Sequence, residues 1–588
     1  MKTDAAVQKS TESKKKNSFK RSSRQRAKAS LFAQGEPMIW LTGGGLVVSL
    51  MMIAGLMTLI VINGINTLWP KPVDLFVTYD NKPYMGEITR VEHFNPAKSE
   101  LHQHQEKVNS DAVAYFEKHN GIAKRMLVRT GNFDLSGEHY NWVNEYDVRE
   151  HTTPEQACVV ERTSWGRFYG FPSAFLYNGE VIAQDDNQIW ETFNKHHKEV
   201  RKRWRTQRKL ETHEIGKINF YEEKERLKLR EKELKFGIES EQWNTQNDHF
   251  KSFHARSQSA YEDIRTEINS LKEENDKYKI RFTTADNKEK IIPLADIVRM
   301  YPANSLTFFD RMNIYLSRWH EFLFDEPREA NSEGGVFPAI FGTVVMTVIM
   351  SLAVVPFGVM AALYLREYAK GGLVVSTIRI SINNLAGVPS IVFGVFGLGF
   401  FCYMVGASID DIFFAARLPN PTFGKGGILW ASMTLALMTL PVVIVATEEA
   451  LSAVPNSMRE GSYACGAGKW QTIWRIVLPR AMPGIMTGMI LAMARGAGEV
   501  APLMLVGAVK LAPELPVDGM FPFVHLERSF MHLGFHIYDL GFQSQNSEAA
   551  KPMVFTTTLL LITIVFILNM LAVKLRRKLR KKFVSAKF

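Results

Sequence analysis

Six long windows of mostly apolar residues constrain this 588-residue chain more than any other feature. Each window runs for about 20 residues or more, the length that an α-helix needs to cross about 30 Å of hydrocarbon. Every backbone N–H and C=O in lipid needs a partner within the chain, so these windows are predicted to be transmembrane helices. One such window would also fit a buried helix of a large soluble protein, but six argue against that alternative. The windows cover approximately 38–63, 336–365, 373–405, 427–446, 481–509 and 553–573.

Both ends of the chain are strongly basic. Residues 1–30 contain 10 Lys or Arg against 2 Asp or Glu, and residues 574–588 contain 8 Lys or Arg and no acid. Positive charge beside a span stays on the cytoplasmic side, so both termini are predicted to be cytoplasmic, in agreement with an even number of spans. The net charge of +11 is then largely a topological signal. Anionic lipid or nucleic acid is an alternative partner for the amino-terminal tail, and the preferred interpretation is membrane lipid without nucleic acid.

The windows and their flanks divide the chain into a few predicted regions. The hydrophilic block after the first window lies outside the cytoplasm, in the periplasm of a Gram-negative cell, if the amino terminus is inside. The predicted fold is therefore an α-helical polytopic membrane protein with six helices and a large extracytoplasmic α+β insertion between helices 1 and 2. The first window is too long for a cleaved signal peptide. The regions are a disordered tail at 1–36, helix 1 at 37–64, the insertion at 65–335, a membrane core at 336–574 with a cytoplasmic loop at 448–480, and a second basic tail at 575–588.

Two segments of different composition within the insertion predict its α+β character. Over 73–185, short runs rich in β-forming residues alternate with turn-forming residues, which is typical of strands. Over 187–278, the chain is rich in Glu, Lys and Arg and is predicted to form long helices, with Gly216 and Gly237 as candidate interruptions. A strand–turn–strand unit is predicted at 279–293.

Candidate catalytic and metal-binding residues are weak in this sequence. The histidine pairs His102/His104 and His196/His197 have no protease or hydrolase motif beside them, so a solvated charged surface is the preferred interpretation. The chain has three cysteines, Cys158, Cys402 and Cys465. They fall in three different predicted compartments without metal-ligand spacing, and are interpreted as structural thiols. No metal site and no enzymatic activity are expected of this chain.

The predicted cytoplasmic loop contains a short local pattern. Ser457 followed three residues later by Glu460 is a capping box, which predicts a helix that begins at Ser457. Gly466 is placed to end that helix. A second short helix is predicted at 469–477 and is expected to stop at Pro479.

This loop resembles the EAA signature of binding-protein-dependent ABC importer permeases, in which Glu-Ala-Ala is followed by three residues, Gly, nine residues and Ile-x-Leu-Pro. Gly461 and Ser462 replace the two alanines and keep the volume small. The positions that match are Glu460, Gly466, Ile476, Leu478 and Pro479. The resemblance implies that the helix from Ser457 docks into a groove of a separate ATPase, where small residues allow close approach. An ordinary helix–turn–helix connection between spans is the alternative.

ATP binding is expected on another polypeptide. The chain contains no G-x-x-x-x-G-K-[ST] phosphate-binding loop, the motif whose backbone amides hold nucleotide phosphates. No cofactor is therefore expected in this chain, and ATP would be bound by a partner subunit.

Two further stretches narrow the resemblance. Residues 383–394 and 495–502, together with 459–466, are most similar to the PstA-type permease subunits of phosphate ABC importers. The resemblance covers about 336–574, leaves the insertion unexplained, and implies ATP-driven import of inorganic phosphate. The implied partners are a second homologous permease, a dimer of ATP-binding subunits and a periplasmic phosphate-binding protein. The alternatives are an importer of sulfate or molybdate, a membrane-anchored sensor or scaffold, and an autonomous secondary transporter.

Three charged residues are candidates for the translocation path. Arg495 and Glu499 are i and i+4 on one predicted helix, so they share a face. Charges within a span are costly unless they are paired or face a wet cavity, and the planar donors of Arg suit phosphate. A structural ion pair that joins two helices is the alternative. Arg379 is the third candidate, for which snorkelling to the cytoplasmic side is the preferred interpretation.

Overall fold

The computed structural model describes residues 36–95, 122–544 and 547–584, and it divides into two units, residues 1–63 and 64–588. The basic tail before residue 36 and the pair His102/His104 lie outside the described residues. The first helix, α1, spans Glu36–Asn66. Its side chains from Met38 to Leu59 are exposed, as expected of a helix whose surroundings are lipid.

The second unit begins with an α+β domain built on two antiparallel sheets. The first sheet has the order β4-β3-β2-β1-β5. Its strands are β1 Asp74–Thr78, β2 Pro83–Phe94, β3 Ala123–Arg129, β4 Asn141–Asn144 and β5 Val148–Thr152. A single turn, α2 Phe133–Ser136, precedes β4. The predicted strand-rich texture of 73–185 is thereby confirmed.

The second sheet has the order β10-β9-β7-β6-β11, and β8 pairs with β7. Its strands are β6 Cys158–Arg162, β7 Phe168–Tyr177, β8 Glu180–Ala183, β9 Tyr278–Thr283, β10 Glu289–Pro293 and β11 Ile297–Pro302. The predicted strand–turn–strand unit is the β9–β10 hairpin, in which Arg281 faces Ile291. Phe168, Phe175 and Phe282 lie in the core of this sheet and are fully buried.

A long helical arm projects from the second sheet. It consists of α3 Asp186–Lys209, a π-helical segment Leu210–Glu214, α4 Ile215–Phe236 and the returning α5 Glu241–Asp276. Ile189, Phe193 and Val200 of α3 are buried against the sheet. The candidate interruption at Gly216 is wrong, because Gly216 lies inside α4. Gly237 does end α4, with a φ of 82° that favours glycine.

The last elements of the domain lead into the membrane bundle. Helix α6 Phe308–Phe324 starts with a capping box, in which Thr307 and Asp310 satisfy each other's backbone N–H. A short ladder of β12 Pro327–Arg328 and β13 Glu333–Gly334 follows.

The bundle contains five of the six helices in the described chain that are long and apolar enough to cross a membrane, and α1 is the sixth. The number of predicted spans is confirmed. The helices are α7 Phe337–Leu363, α8 Leu373–Leu385, α9 Ser390–Phe396, α10 Ala407–Phe413, α11 Ile428–Ser452, α12 Asn456–Ala464, α13 Lys469–Thr472, α14 Leu478–Gly498, α15 Ala501–Val506, α16 Leu533–Tyr538 and α17 Ser547–Val584. π-Helical segments extend or join them at Tyr364–Tyr368, Gly397–Gly406, Ile473–Val477 and Asp539–Gln543.

Two predicted windows have wrong boundaries. The window at 373–405 is not one helix, because the chain leaves the helix after Leu385 and re-enters at Ser390. Pro389 explains the break, since a proline lacks the N–H and disfavours a helical residue before it. The window at 481–509 begins earlier, at Lys469, and ends at Gly498.

Small residues bring the central helices α7, α11 and α14 close together. A Cβ at Gly488 of α14 would lie 2.7 Å from the Cβ of Ala446 on α11. Gly484 makes the same kind of contact with Ala450, and Gly496 with Met350 of α7. Close backbone approach through small residues is a common means of packing helices in membranes, where no hydrophobic force drives them together.

Candidate functional site

The short helix α12 stands between α11 and the long helix that follows. It begins at Asn456 after the N-cap residue Pro455, and no side chain caps it. The predicted capping box of Ser457 and Glu460 is therefore wrong. Because the helix begins one residue earlier than predicted, Ser457 lies inside its first turn and cannot serve as N-cap. The predicted end is confirmed, since Gly466 follows Ala464 closely and has a φ of 82°.

A largely buried ion pair holds α12 against the bundle. Arg459 Nη2 lies 2.9 Å from Glu367 Oε1, and the two side chains are 14% and 10% exposed. The same guanidinium donates to the carbonyl of Val454 at 2.8 Å and to that of Leu451 at 2.9 Å. Sequence analysis did not single out this pair, because its partners are 92 positions apart and share no motif. The pair makes the end of α7 and helix α12 one connected unit.

The two small residues in place of the alanines face different surroundings. Ser462 is buried, and its Oγ lies 2.8 Å from Thr472 Oγ1 of α13. Gly461 is exposed, and a Cβ built on it would meet no atom within 4 Å in the described part of the chain beyond its own helix backbone and its neighbours in the sequence. Small volume at Ser462 therefore serves packing within the chain, whereas Gly461 leaves a surface open to another molecule.

Other exposed residues surround this open glycine in the sequence. Glu460 is exposed, and Tyr463 is 43% exposed. Trp470 and Trp474 stack with ring centroids 5.6 Å apart, yet they are 60% and 57% exposed. Large exposed aromatic residues of this kind are enriched in protein interfaces.

The Ile-x-Leu-Pro positions belong to the helix that enters the bundle. Ile476 lies in the π-helical segment, and Leu478 and Pro479 are in the first turn of α14. The prediction that Pro479 stops a helix is wrong, because the apolar helix continues from Lys469 to Gly498. The π-helical segment directly before Pro479 changes the hydrogen-bond pattern, so the missing N–H of proline is accommodated there. Leu478 packs on the cluster that contains Leu451 and Val477.

Arg495 and Glu499 form an ion pair at the other end of α14. Arg495 Nε lies 3.6 Å from Glu499 Oε1, and the side chains are 41% and 22% exposed. The prediction of one shared helix is wrong in detail, since α14 ends at Gly498 and Glu499 has an extended ψ of 140°. The pair therefore lies at a helix break, and the carboxylate turns back to the arginine.

The two stretches singled out around 383–394 and 495–502 meet in space. A Cβ at Gly394 of α9 would lie 2.8 Å from the Cα of Pro502 in α15. Both stretches contain a helix break, at 386–389 and at 499–500. Broken helices within a membrane are tolerated where protein or a wet cavity surrounds them.

Arg379 does not join this group. It lies on α8, with Nη2 3.6 Å from Glu448 Oε1 of α11 and 3.4 Å from the carbonyl of Leu365. Leu365 is close in sequence to Glu367, so Arg379 belongs with the α12 end of the bundle. Its place on the translocation path stays a prediction, and its position near a helix end fits snorkelling.

The cysteines and histidines considered as catalytic or metal-binding candidates have the surroundings of structural residues. In residues 36–95, 122–544 and 547–584, no group of three or more His, Cys, Asp or Glu could hold a metal ion. Cys158 and Cys402 are buried and Cys465 is exposed, and all three are free thiols. His197 stacks on Phe193 and bonds the carbonyl of Ile297 at 2.9 Å, and burial lowers its pKa.

Comparison with known proteins agrees with this geometry. Residues 354–581 match the family described as "Binding-protein-dependent transport system inner membrane component". The phosphate transport system permease protein PstA of Mycobacterium leprae is 43% identical over 177 residues, which are 30% of this chain and 52% of that protein. PstA of Yersinia pestis is 35% identical over 184 residues, 31% of this chain and 56% of that protein. The chain thus spans about half the length of these curated relatives.

A solved structure of the methionine ABC transporter MetNI, in an inward-facing conformation, is also similar. It shares 20% identity, covers 41% of this chain and 94% of that chain, and has a TM-score of 0.31. The similarity to transport permeases is shown by the sequence matches and not by this structural likeness.

The described residues thus contain six helices that are long and apolar enough to cross a membrane, and the curated relatives of the bundle are named as transport permease proteins. The family match covers less than half of the chain, so it shows what residues 354–581 are similar to.

Proposed function

We propose that this chain is a permease subunit of an ATP-driven importer of inorganic phosphate. The observation that carries the proposal is helix α12. A largely buried ion pair holds it to the π-helical extension of α7, and yet Gly461 on α12 is exposed with open space around its Cβ position. The proposal that the substrate is phosphate is supported by relatives that are named as phosphate transport system permease proteins. The proposed partners are a second homologous permease, a dimer of ATP-binding subunits and a periplasmic phosphate-binding protein.

The proposed coupling follows two mechanical connections from α12. The Arg459–Glu367 pair transmits movement of α12 to the end of α7. The helix from Lys469 to Gly498 continues the loop into the bundle, and its 30 residues span about 45 Å. Movement imposed by an ATPase at the α12 end would therefore reach the Arg495–Glu499 pair.

Arg495 is the proposed phosphate contact on the path. It is partly exposed, and Glu499 holds it at 3.6 Å, a distance at which the guanidinium keeps donors free for an anion. A charged pair at a break between two membrane helices is costly unless it faces water or a partner. The proposed orientation puts α12 and both termini in the cytoplasm and the α+β domain in the periplasm, consistent with the basic flanks.

The substrate is tested by phosphate uptake in cells that carry Arg495→Ala. We expect uptake to fall by about tenfold or more, the size expected when one charge-assisted hydrogen bond is lost, while membrane level and ATPase co-purification stay unchanged. Arg256→Ala on the exposed face of the arm is the matched control and should transport normally. Normal uptake by Arg495→Ala would remove this residue from the path, and competition by sulfate or molybdate would favour another oxyanion.

Coupling is tested by Gly461→Phe. Since a Cβ at Gly461 points into open space among the described residues, the subunit should fold and reach the membrane, but co-purification of the ATPase and phosphate uptake should both be lost. Gly216→Phe is the matched control, because Gly216 is also a helical glycine with open space around it. Unchanged ATPase binding in Gly461→Phe would overturn α12 as the docking helix.

A further inference from the structure

A charged cavity of about 120 Å³ lies where the α+β domain meets the membrane bundle. Its walls come from residues 67–71, from β-strands of both sheets, from the β12–β13 ladder and from Pro552 and Met553 of α17. The volume exceeds the share of one liquid water, about 30 Å³. Five of the lining side chains are basic: Lys71, Arg129, Arg167, Arg318 and Arg328.

Ion pairs connect the four lining arginines and Arg299 to four glutamates, of which three are buried and Glu333 is nearly so. Glu161 accepts from Arg318 Nε at 2.8 Å and also pairs with Arg299. The other acids of the network are Glu87, Glu321 and Glu333. Burial opposes ionisation of Glu161, but Arg299 and Arg318 outweigh burial and lower its pKa, so this carboxylate stays charged.

Lys71 adds a cation that has no carboxylate partner. Within the part of the chain that the structure describes, its Nζ has no carboxylate oxygen within 4.0 Å and donates only to the carbonyl of Ile88, at 3.2 Å. Burial lowers the pKa of Lys71. The network and Lys71 together contain six cations against four carboxylates, an excess of two positive charges in a largely buried place. Buried charge without compensation is strongly unfavourable.

Arg167 keeps donors free toward this cavity. Its Nη1 is 2.8 Å from Glu87 Oε2, which is a hydrogen bond. Its Nη2 is 4.0 Å from Glu161 and its Nε is 3.9 Å from Glu333, and both distances are too long for hydrogen bonds. Among the described residues, Nε and Nη2 of this guanidinium therefore donate to no protein atom, and their planar arrangement fits the oxygens of a tetrahedral anion.

We propose that this cavity binds a small tetrahedral dianion, hydrogen phosphate. A dianion compensates the excess of two positive charges, and the free donors of Arg167 bind its oxygens. The glutamates that line the cavity are acceptors only when ionised, so they select an anion with a hydrogen to donate and repel sulfate. The bound anion would bridge the α+β domain and the bundle, since Thr67 beside the cavity already donates to the carbonyl of Pro552 at 3.0 Å. This site is separate from Arg495 and does not rest on the proposed transport function.

The test uses the purified full chain in detergent and measures binding of radiolabelled inorganic phosphate together with thermal unfolding. Wild-type protein should bind phosphate saturably and unfold at a higher temperature with phosphate than without it. Lys71→Met removes the unpaired cation and keeps the length of the side chain. It should weaken phosphate binding by about tenfold or more, while its unfolding temperature without phosphate equals or exceeds that of the wild type.

Lys82→Met is the matched control, because Lys82 is exposed in the β1–β2 turn of the same domain. It should bind phosphate as the wild type does. If the wild-type protein binds no phosphate, the proposed site is wrong. If Lys71→Met binds phosphate with unchanged affinity, the phosphate is bound by another part of the chain and the site is also wrong. An equal rise of unfolding temperature with sulfate would overturn the choice of hydrogen phosphate. The binding experiment does not measure phosphate uptake, so the proposed cavity site and the proposed transport function can fail independently.

Discussion

The α+β domain and the membrane bundle treat buried polar groups in opposite ways. The domain buries full charges in a network, as Glu161 and Arg318 show with side-chain exposures of 6% and 5%. In the bundle, the hydroxyls of buried threonines donate to the carbonyl four residues earlier at 2.7–2.8 Å, at Thr343, Thr347, Thr434 and Thr439. Charged pairs such as Arg495–Glu499 and Arg459–Glu367 lie near helix ends.

The difference reflects the two solvents in which one chain folds. A helix in lipid satisfies its own backbone, and a hydroxyl can be satisfied within the same helix at little cost. A charge needs a partner from elsewhere or water, so it is rare within a span. In the domain, partners come from both sheets and from α6, so an ion network can form between elements. The comparison predicts that single substitutions reduce stability most in the ion network of the domain, and that their effects are smaller elsewhere.

The largest effect is expected for Glu161→Ala. The change leaves the buried Arg318 without a carboxylate partner, which should lower the free energy of unfolding of the domain by about 3–5 kcal/mol. Chemical denaturation of the full chain in detergent, followed by domain fluorescence, measures it. One exposed ion pair contributes up to about 1 kcal/mol. A loss smaller than this in Glu161→Ala would show that the network contributes little to stability.

An intermediate effect is expected for Gly488→Val in the bundle. The new side chain would overlap Ala446, which is 2.7 Å from the Cβ position, and overpacking costs about 1–3 kcal/mol. Gly399→Val is the matched control, since Gly399 also lies in a membrane helix but has nothing within 4 Å. Equal thermal stability of the two variants in detergent would contradict close packing as the basis of the bundle.

The boundary between the two regions should respond to pH. His532 and His536 are buried in the segment between the fifth and sixth spans, and burial lowers their pKa to about 3 and about 4. Protons therefore bind the unfolded chain first, so stability is complete above about pH 6.5 and decreases as the pH falls toward 4. His536→Phe should flatten this decrease by up to about 1.4 kcal/mol per pH unit. His213→Phe on the exposed arm is the control, and an unchanged slope in His536→Phe would contradict the buried neutral ring.

The smallest effect is expected on the arm. Glu231 and Lys235 of α4 are an i,i+4 pair with side chains 54% and 62% exposed. Glu231→Ala should change stability by about 0.3–0.5 kcal/mol, and added salt should remove even that difference. A loss comparable to that of Glu161→Ala would abolish the distinction between exposed and buried pairs.

Sequence reasoning predicted the elements whose causes are local. The six spans, the strand-rich texture, the long charged helices and the turn at Gly466 each follow from neighbouring residues, and the structure has them. Its errors concern boundaries, where competing local signals exist. Ser457 looked like the N-cap although Pro455 is the N-cap and the helix begins at Asn456. Pro479 looked like a stop although the π-helical segment before it accommodates the proline.

By itself, the sequence determined that this chain contains six helices long and apolar enough to cross a membrane, because hydrocarbon and helix chemistry act on consecutive residues. Only the tertiary structure decided which charges meet. The pairing of Arg459 with Glu367, the contact of Gly394 with Pro502 and the cavity around Lys71 join residues that are far apart in the chain. Such partners are selected by packing in three dimensions, and no spacing along the sequence encodes them.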